Sequence, residues 1–129
     1  MKIKSLITLF ATAVATFYLT GCSSVTVGGA NGAGTYTYSA GNMRGNENAV
    51  LDRVWSATQA AMKDLEFTVI SQQKDALQAR LIARTALDKK IEINLTKISE
   101  NLTEVKIRVG SFGEQTLSYT IIQSIEKRL

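Results

Sequence analysis

Cys22 carries the most reactive side chain in this sequence. It is the only cysteine of the chain, and a thiolate is the strongest nucleophile among ordinary side chains. A lone cysteine closes no internal disulfide. Its neighbours Leu19, Thr20 and Gly21 are one apolar and two small residues at the end of an apolar stretch. Elsewhere the reactive inventory is thin. The chain has no histidine, so its many Ser and Thr hydroxyls lack their usual base. Without His, and with its one Cys engaged at the leader, the chain also lacks the common metal ligands; no metal and no cofactor are expected. A Ser–Lys pair stays formally open, although no motif marks one. Paired carboxylates do acid–base work in some hydrolases. Asp52, Asp64, Glu92 and Glu104 are instead read as solvated positions beside basic neighbours. Gly28, Gly29, Gly32 and Gly34 lack the flanking strand, helix and lysine of a phosphate-binding loop. Asn94-Leu95-Thr96 and Asn101-Leu102-Thr103 match a glycosylation triplet and are read as accidental.

The elements around Cys22 give its chemistry a direction. Lys2 and Lys4 form a basic start, and Leu6 to Leu19 is apolar, as in a secretory leader. A membrane-spanning helix needs about 20 apolar residues; this stretch is shorter and carries Thr8, Thr12 and Thr16. Leu19-Thr20-Gly21-Cys22 resembles the lipobox of bacterial lipoproteins. That resemblance implies diacylglycerol on the Cys22 sulfur, fatty acyl chains such as palmitate, and cleavage just before Cys22. The expected organisation is a cleaved signal peptide over 1–21, a lipidated Cys and Gly/Ser-rich tether over 22–34, and one small domain over 35–129. Two or three acyl chains hold a protein stably at a bilayer, where one holds it only marginally. Ser23 is not the aspartate that retains such proteins at the inner membrane of Gram-negative bacteria. The resemblance thus implies lipid anchoring at the outer membrane, on its periplasmic face.

Removing the leader takes away Lys2 and Lys4 and lowers the formal charge from +4 to +2. That is no nucleic-acid signature, which concentrates Lys and Arg on one face. The mature length suits one domain.

Thr35 to Ala40 alternates, with Tyr36 and Tyr38 on one side, and suits a short strand. The two tyrosines are read as packing residues rather than a binding platform. Gly41-Asn42 is a turn signal, and Met43 to Glu47 completes a small hairpin. Asn48 is the expected N-cap of a helix whose apolar stripe is Leu51, Val54, Trp55, Thr58, Ala61, Met62 and Leu65. Trp55 in that stripe is read as a core anchor. The period then changes to two. Phe67 and Val69, then Leu77, Ala79, Leu81 and Ala83, then Ile91, Ile93 and Leu95, then Val105, Ile107 and Val109 are expected on buried strand faces. Lys74-Asp75, Asp88-Lys89 and Glu100-Asn101 are polar breaks for hairpin loops. A second helix runs through Leu117, Ile121, Ile122, Ile125 and Leu129, with Lys127 and Arg128 in its last turn. The expected fold is α+β: a two-layer sandwich, β-α-β-β-β-β-α, with an antiparallel sheet of about four to five strands and two helices on one face.

Leu51-Asp52-Arg53-Val54-Trp55 with Ala57, Leu65 to Ile70, Lys74-Asp75-Ala76-Leu77, and Thr103 to Gly110 with Phe112-Gly113 together resemble a family of short bacterial envelope lipoproteins catalogued only as a domain of unknown function. The lipobox and glycine-rich spacer fit the same pattern. The resemblance implies a fold and a location, and no activity.

The wet face of the expected sheet carries Arg80, Arg84, Glu92, Asn94, Glu104, Lys106 and Arg108. Cross-strand charge pairing explains such a face. A docking surface for an envelope protein, peptidoglycan or lipopolysaccharide explains it too, since arginines pair with carboxylate and phosphate. The expected function is therefore a non-enzymatic, membrane-anchored interaction module. Two alternatives stand beside it: a small-ligand carrier with an apolar cavity lined by Trp55, Met62 and Leu117, and a cryptic carboxylate or Ser–Lys hydrolase.

Overall fold

The computed structural model describes residues 24–26 and 34–129 of the 129-residue chain. The element order is β1 (Ser24–Thr26), β2 (Thr35–Ser39), β3 (Asn42–Glu47), α1 (Leu51–Asp64), β4 (Thr68–Lys74), β5 (Gln78–Arg84), β6 (Lys90–Ser99), β7 (Leu102–Val109) and α2 (Gln115–Glu126). All pairings are antiparallel, in the order β1-β2-β3-β7-β6-β5-β4. The fold is α+β, as expected. The sheet is larger than the four to five strands expected, because both arms of the N-terminal hairpin join it. β3 pairs with β7 along its whole length. Ser24–Thr26, inside the segment read as tether, adds the short β1.

Strict alternation places the helix-covered face. Leu81, Ala83, Ile91, Ile93, Leu95, Val105, Ile107 and Val109 are all buried. Each large aliphatic side chain removed from water contributes about 1.5–3 kcal/mol. Val54, Ala57, Ala61 and Met62 of α1 and Ile121, Ile122 and Ile125 of α2 cover them. Trp55 and Leu65 pack half-buried at the margin of this core.

Two expected inward positions fail for a common reason. Two helices about 10 Å across cover about four strands spaced about 4.8 Å apart, and β4, at one end of the strand order, lies outside that cover. Every residue of β4 is exposed, Val69 among them, and its register shifts between Val69 and Ser71. Leu77 also faces water. It lies in the turn before β5, where the Asp75 carboxylate accepts from the backbone N–H groups of Leu77 and Gln78 at 2.8 and 2.9 Å.

The helix ends also differ from expectation. Asn48 does not cap α1. The N-cap position is the extended Val50, with no side-chain cap; the N2 and N3 positions, Asp52 and Arg53, lie four and five residues after Asn48, beyond the two or three an N-cap side chain reaches. Ala49 is held meanwhile by the Thr103 hydroxyl on its carbonyl at 2.9 Å. α1 closes in a Schellman pattern: Glu66 N–H donates to Lys63, Phe67 N–H to Met62, and Glu66 is left-handed at φ 57°. α2 stops at Glu126, so Lys127 and Arg128 lie beyond its last turn. Arg128 instead forks onto the Asp64 carboxylate at 2.5 and 2.7 Å.

Candidate functional site

The uncovered sheet face collects most of the residues expected to form a docking surface. The alternation that buries Ile93 and Ile107 turns Arg80, Glu92, Asn94, Glu104 and Lys106 to the other side. In register, Arg44, Lys106, Asn94 and Arg80 form one row across β3, β7, β6 and β5. Asn42, Arg108, Glu92 and Ile82 form the next. Arg80 reaches diagonally to Glu92 at 3.0 Å, and Lys90 approaches the same carboxylate at 3.6 Å. The Asn94 amide and these two cations hold the Glu92 carboxyl below its ordinary value. Glu104 and Lys106 make no ion pair with another described residue.

Two of the expected docking residues have tasks at the rim instead. Arg84 pairs with Asp88, donating to its carboxylate at 3.2 Å and its carbonyl at 3.1 Å. Arg108 faces Glu92 in register, but its guanidinium donates to the carbonyls of Ala40, at 3.1 Å, and of Ser111. It staples the β2–β3 turn to the loop after β7. Cys22, Leu19, Thr20 and Gly21 lie outside the described residues.

The carboxylates considered for acid–base work do not converge. Asp52 and Asp64 sit at opposite ends of α1 and pair with Lys74 and Arg128. Glu92 and Glu104 belong to the far face of the sheet. A different pair does meet, beneath the start of β2. Tyr36 and Glu47 are fully buried, and the Tyr36 hydroxyl donates to Glu47 Oε1. Burial raises the Glu47 carboxyl, against the opposing bonds from Tyr36 and Glu126. Burial, then the charge of Glu47, pushes Glu126 up to about 7. Burial, and then Glu47, also raises the Tyr36 phenol. Glu47 Oε2 and Glu126 Oε1 are both buried without another partner, and one proton between the two carboxyls supplies the missing bond. No solvent reaches Tyr36 or Glu47, while Glu126 is only partly covered. The cluster's sequence signal was the period-two run Met43, Gly45, Glu47, which puts a carboxylate on the buried face.

A cleft of about 650 Å³ opens at the opposite end of the sheet, lined by Arg84, Lys89, Lys90 and Arg108 among others. Of the residues expected to line an apolar cavity, Met62 is fully buried in the core, and Trp55 and Leu117 pack partly buried against it. Among the described residues, no three His, Cys, Asp or Glu side chains converge as a metal ion requires. No described helix is long and apolar enough to cross a membrane.

The fold and these sites define a small α+β domain with one helix-covered and one open, charged sheet face. Residues 4–128 match the family described as "Protein of unknown function (DUF3568)", and the chain belongs to that family. No curated protein matches the chain.

Proposed function

We propose that this protein is a bacterial envelope lipoprotein, acylated at Cys22 after cleavage of residues 1–21, anchored at the periplasmic face of the outer membrane. There it acts as a non-enzymatic interaction module. The leader and the Leu19-Thr20-Gly21-Cys22 pattern support the anchor. The observation that carries the interaction role is the open sheet face. Arg80, Arg44 and Lys106 stand in one row there, with Glu104 beside them, and neither helix covers them. Arg80 is shared with Glu92, and the cations of this row on a rigid sheet fit carboxylate or phosphate groups of an envelope protein, peptidoglycan or lipopolysaccharide.

The test is mild crosslinking in native envelopes followed by mass spectrometry of the attached partner. Arg80→Glu with Lys106→Glu is expected to abolish a defined crosslink while leaving the protein in the membrane fraction. A crosslink that survives both reversals sinks the docking face. A Cys22→Ala chain is expected to lose acylation and leave that fraction; retention there sinks the anchor.

A further inference from the structure

Two loops at one end of the sheet hold large apolar side chains out into solvent. Phe112 is 94% exposed and Leu87 is 83% exposed. Phe112 lies in the loop between β7 and α2, and Leu87 lies in the loop between β5 and β6. Both loops border the 650 Å³ cleft, through Gly110–Glu114 on one side and Asp88–Lys89 on the other.

The loops are structured. Arg108 ties Ser111 to the β2–β3 turn. Gly113 and Gly41 approach so closely that a Cβ on either would collide with backbone, and both have positive φ. The second loop is closed by Asp88 N–H on the Thr85 carbonyl at 2.9 Å and by Arg84 on Asp88. Lys89 and Glu114 bridge the two loops at 2.5 Å. The apolar tips are thus presented rather than left over, and the fold spends fixed backbone geometry on keeping them outside. The cleft between them is lined by Arg84, Lys89, Lys90 and Arg108 against Asp88, Glu92 and Glu114, a surplus of one positive charge. Apolar tips rimmed by cations match the boundary between lipid headgroups and acyl chains.

The direction of β1 says which end of the molecule the anchor meets. Ser24 pairs with Thr37 and Thr26 with Thr35, so the chain enters β1 from the end that carries the β2–β3 turn. Cys22 precedes Ser24 by two residues, and two residues span at most about 7 Å. The far end of the sheet lies about 27 Å away, the length of an eight-residue strand such as β7.

We propose that this end of the sheet is a bilayer-facing surface, with Phe112 and Leu87 entering the headgroup–acyl boundary of an anionic phospholipid membrane. The proposal rests on the reading of Cys22 as the acylated residue. Anchor and tips then form a multipoint contact that orients the domain and leaves the open charged face clear of the membrane.

The sole cysteine is blocked when acylated, so a fluorophore can be placed by Phe112→Cys or, as a far-end control, Leu77→Cys, which is 66% exposed in the wild-type side chain. Each full lipidated protein is reconstituted into phosphatidylethanolamine–phosphatidylglycerol vesicles whose acyl chains carry a spin-label quencher. The mass of the Cys22 peptide is read on the same sample. Quenching several-fold stronger at position 112 than at position 77 is expected. With Cys22 acylated, equal quenching, or stronger quenching at 77, overturns this proposal and leaves the anchor standing. An unacylated Cys22 peptide fails the anchor by itself. In that case the same labels in a Cys22→Ala background, with phosphatidylglycerol vesicles added, must still quench selectively at 112; absence of that selectivity overturns the surface as well.

Discussion

Where β2 begins, the molecule hides polar chemistry: Tyr36 and Glu47 are sealed beneath the chain, with Glu126 beside them. At the opposite end it does the reverse and shows Phe112 and Leu87 to water. The two ends tolerate these inversions by different physics. A buried carboxyl escapes the cost of charge by keeping a proton. An exposed apolar side chain escapes nothing, but it exacts little from the folded state, because it was exposed in the unfolded chain too. The buried cluster is therefore coupled to stability and pH, and the two exposed tips are nearly decoupled from both. The second kind of surface is the kind a protein can devote to another phase.

Substitutions should separate the ends by size of effect. The largest is expected at Tyr36. Tyr36→Ala removes a fully buried ring and should destabilise the domain by about 3–5 kcal/mol in urea unfolding. Tyr36→Phe keeps the ring and strands Glu47, at a cost of about 1–3 kcal/mol. A loss near zero for Tyr36→Phe would mean that the hydroxyl bond to Glu47 contributes nothing.

An intermediate effect is expected from pH. Glu126 titrates near 4.5 when unfolded and at about 7 when folded. Between those values the folded protein holds a proton that the unfolded chain has released. The contribution of Glu126 to stability is therefore full below about 4.5, falls as pH rises through the window, and is lost above about 7. Partial solvent access at Glu126 keeps the fall to about 1–2 kcal/mol. Melting temperature against pH measures it, and Glu126→Gln should flatten the slope. A flat wild-type profile would contradict the shared proton.

The smallest effect belongs to the other end. Phe112→Ser with Leu87→Ser should change unfolding free energy by no more than about 0.5 kcal/mol, at any pH in that window. A loss of several kcal/mol would show that these side chains pack in the folded state, and would erase the contrast between the ends.

Much of this architecture was legible in the residue pattern, and the misses have identifiable causes. The runs through Leu81, Ile93 and Ile107 predicted their own burial because alternation is a local property of a strand. The break at Asp75 predicted a turn and placed it well. Val69 alternated like its neighbours and still ended outside, because strand position relative to the helices is not written in period two. Arg108 looked like a free surface cation, yet the carbonyls of Ala40 and Ser111 claim it. Those partners stand 68 and 3 residues away in the chain, and only the pairing of β3 with β7 brings the distant one near. Glu47 is legible in the sequence: its place in the Met43–Gly45–Glu47 alternation puts a carboxylate inward.

The amino-acid sequence by itself determined the α+β class, the two amphipathic helices, the hairpin breaks and the inward face of the central strands. Each depends on periodicity and turn chemistry within a short window. It also carried the only indication of Cys22 chemistry, through the residues just before it. Tertiary structure alone decided that the two carboxyls share a site, that β4 lies beyond the cover of the helices, and that Phe112 and Leu87 point from the same end at which the chain enters β1. Those are relations between residues far apart in the chain, set by strand order and by how many strands two helices can cover, and no local pattern specifies either.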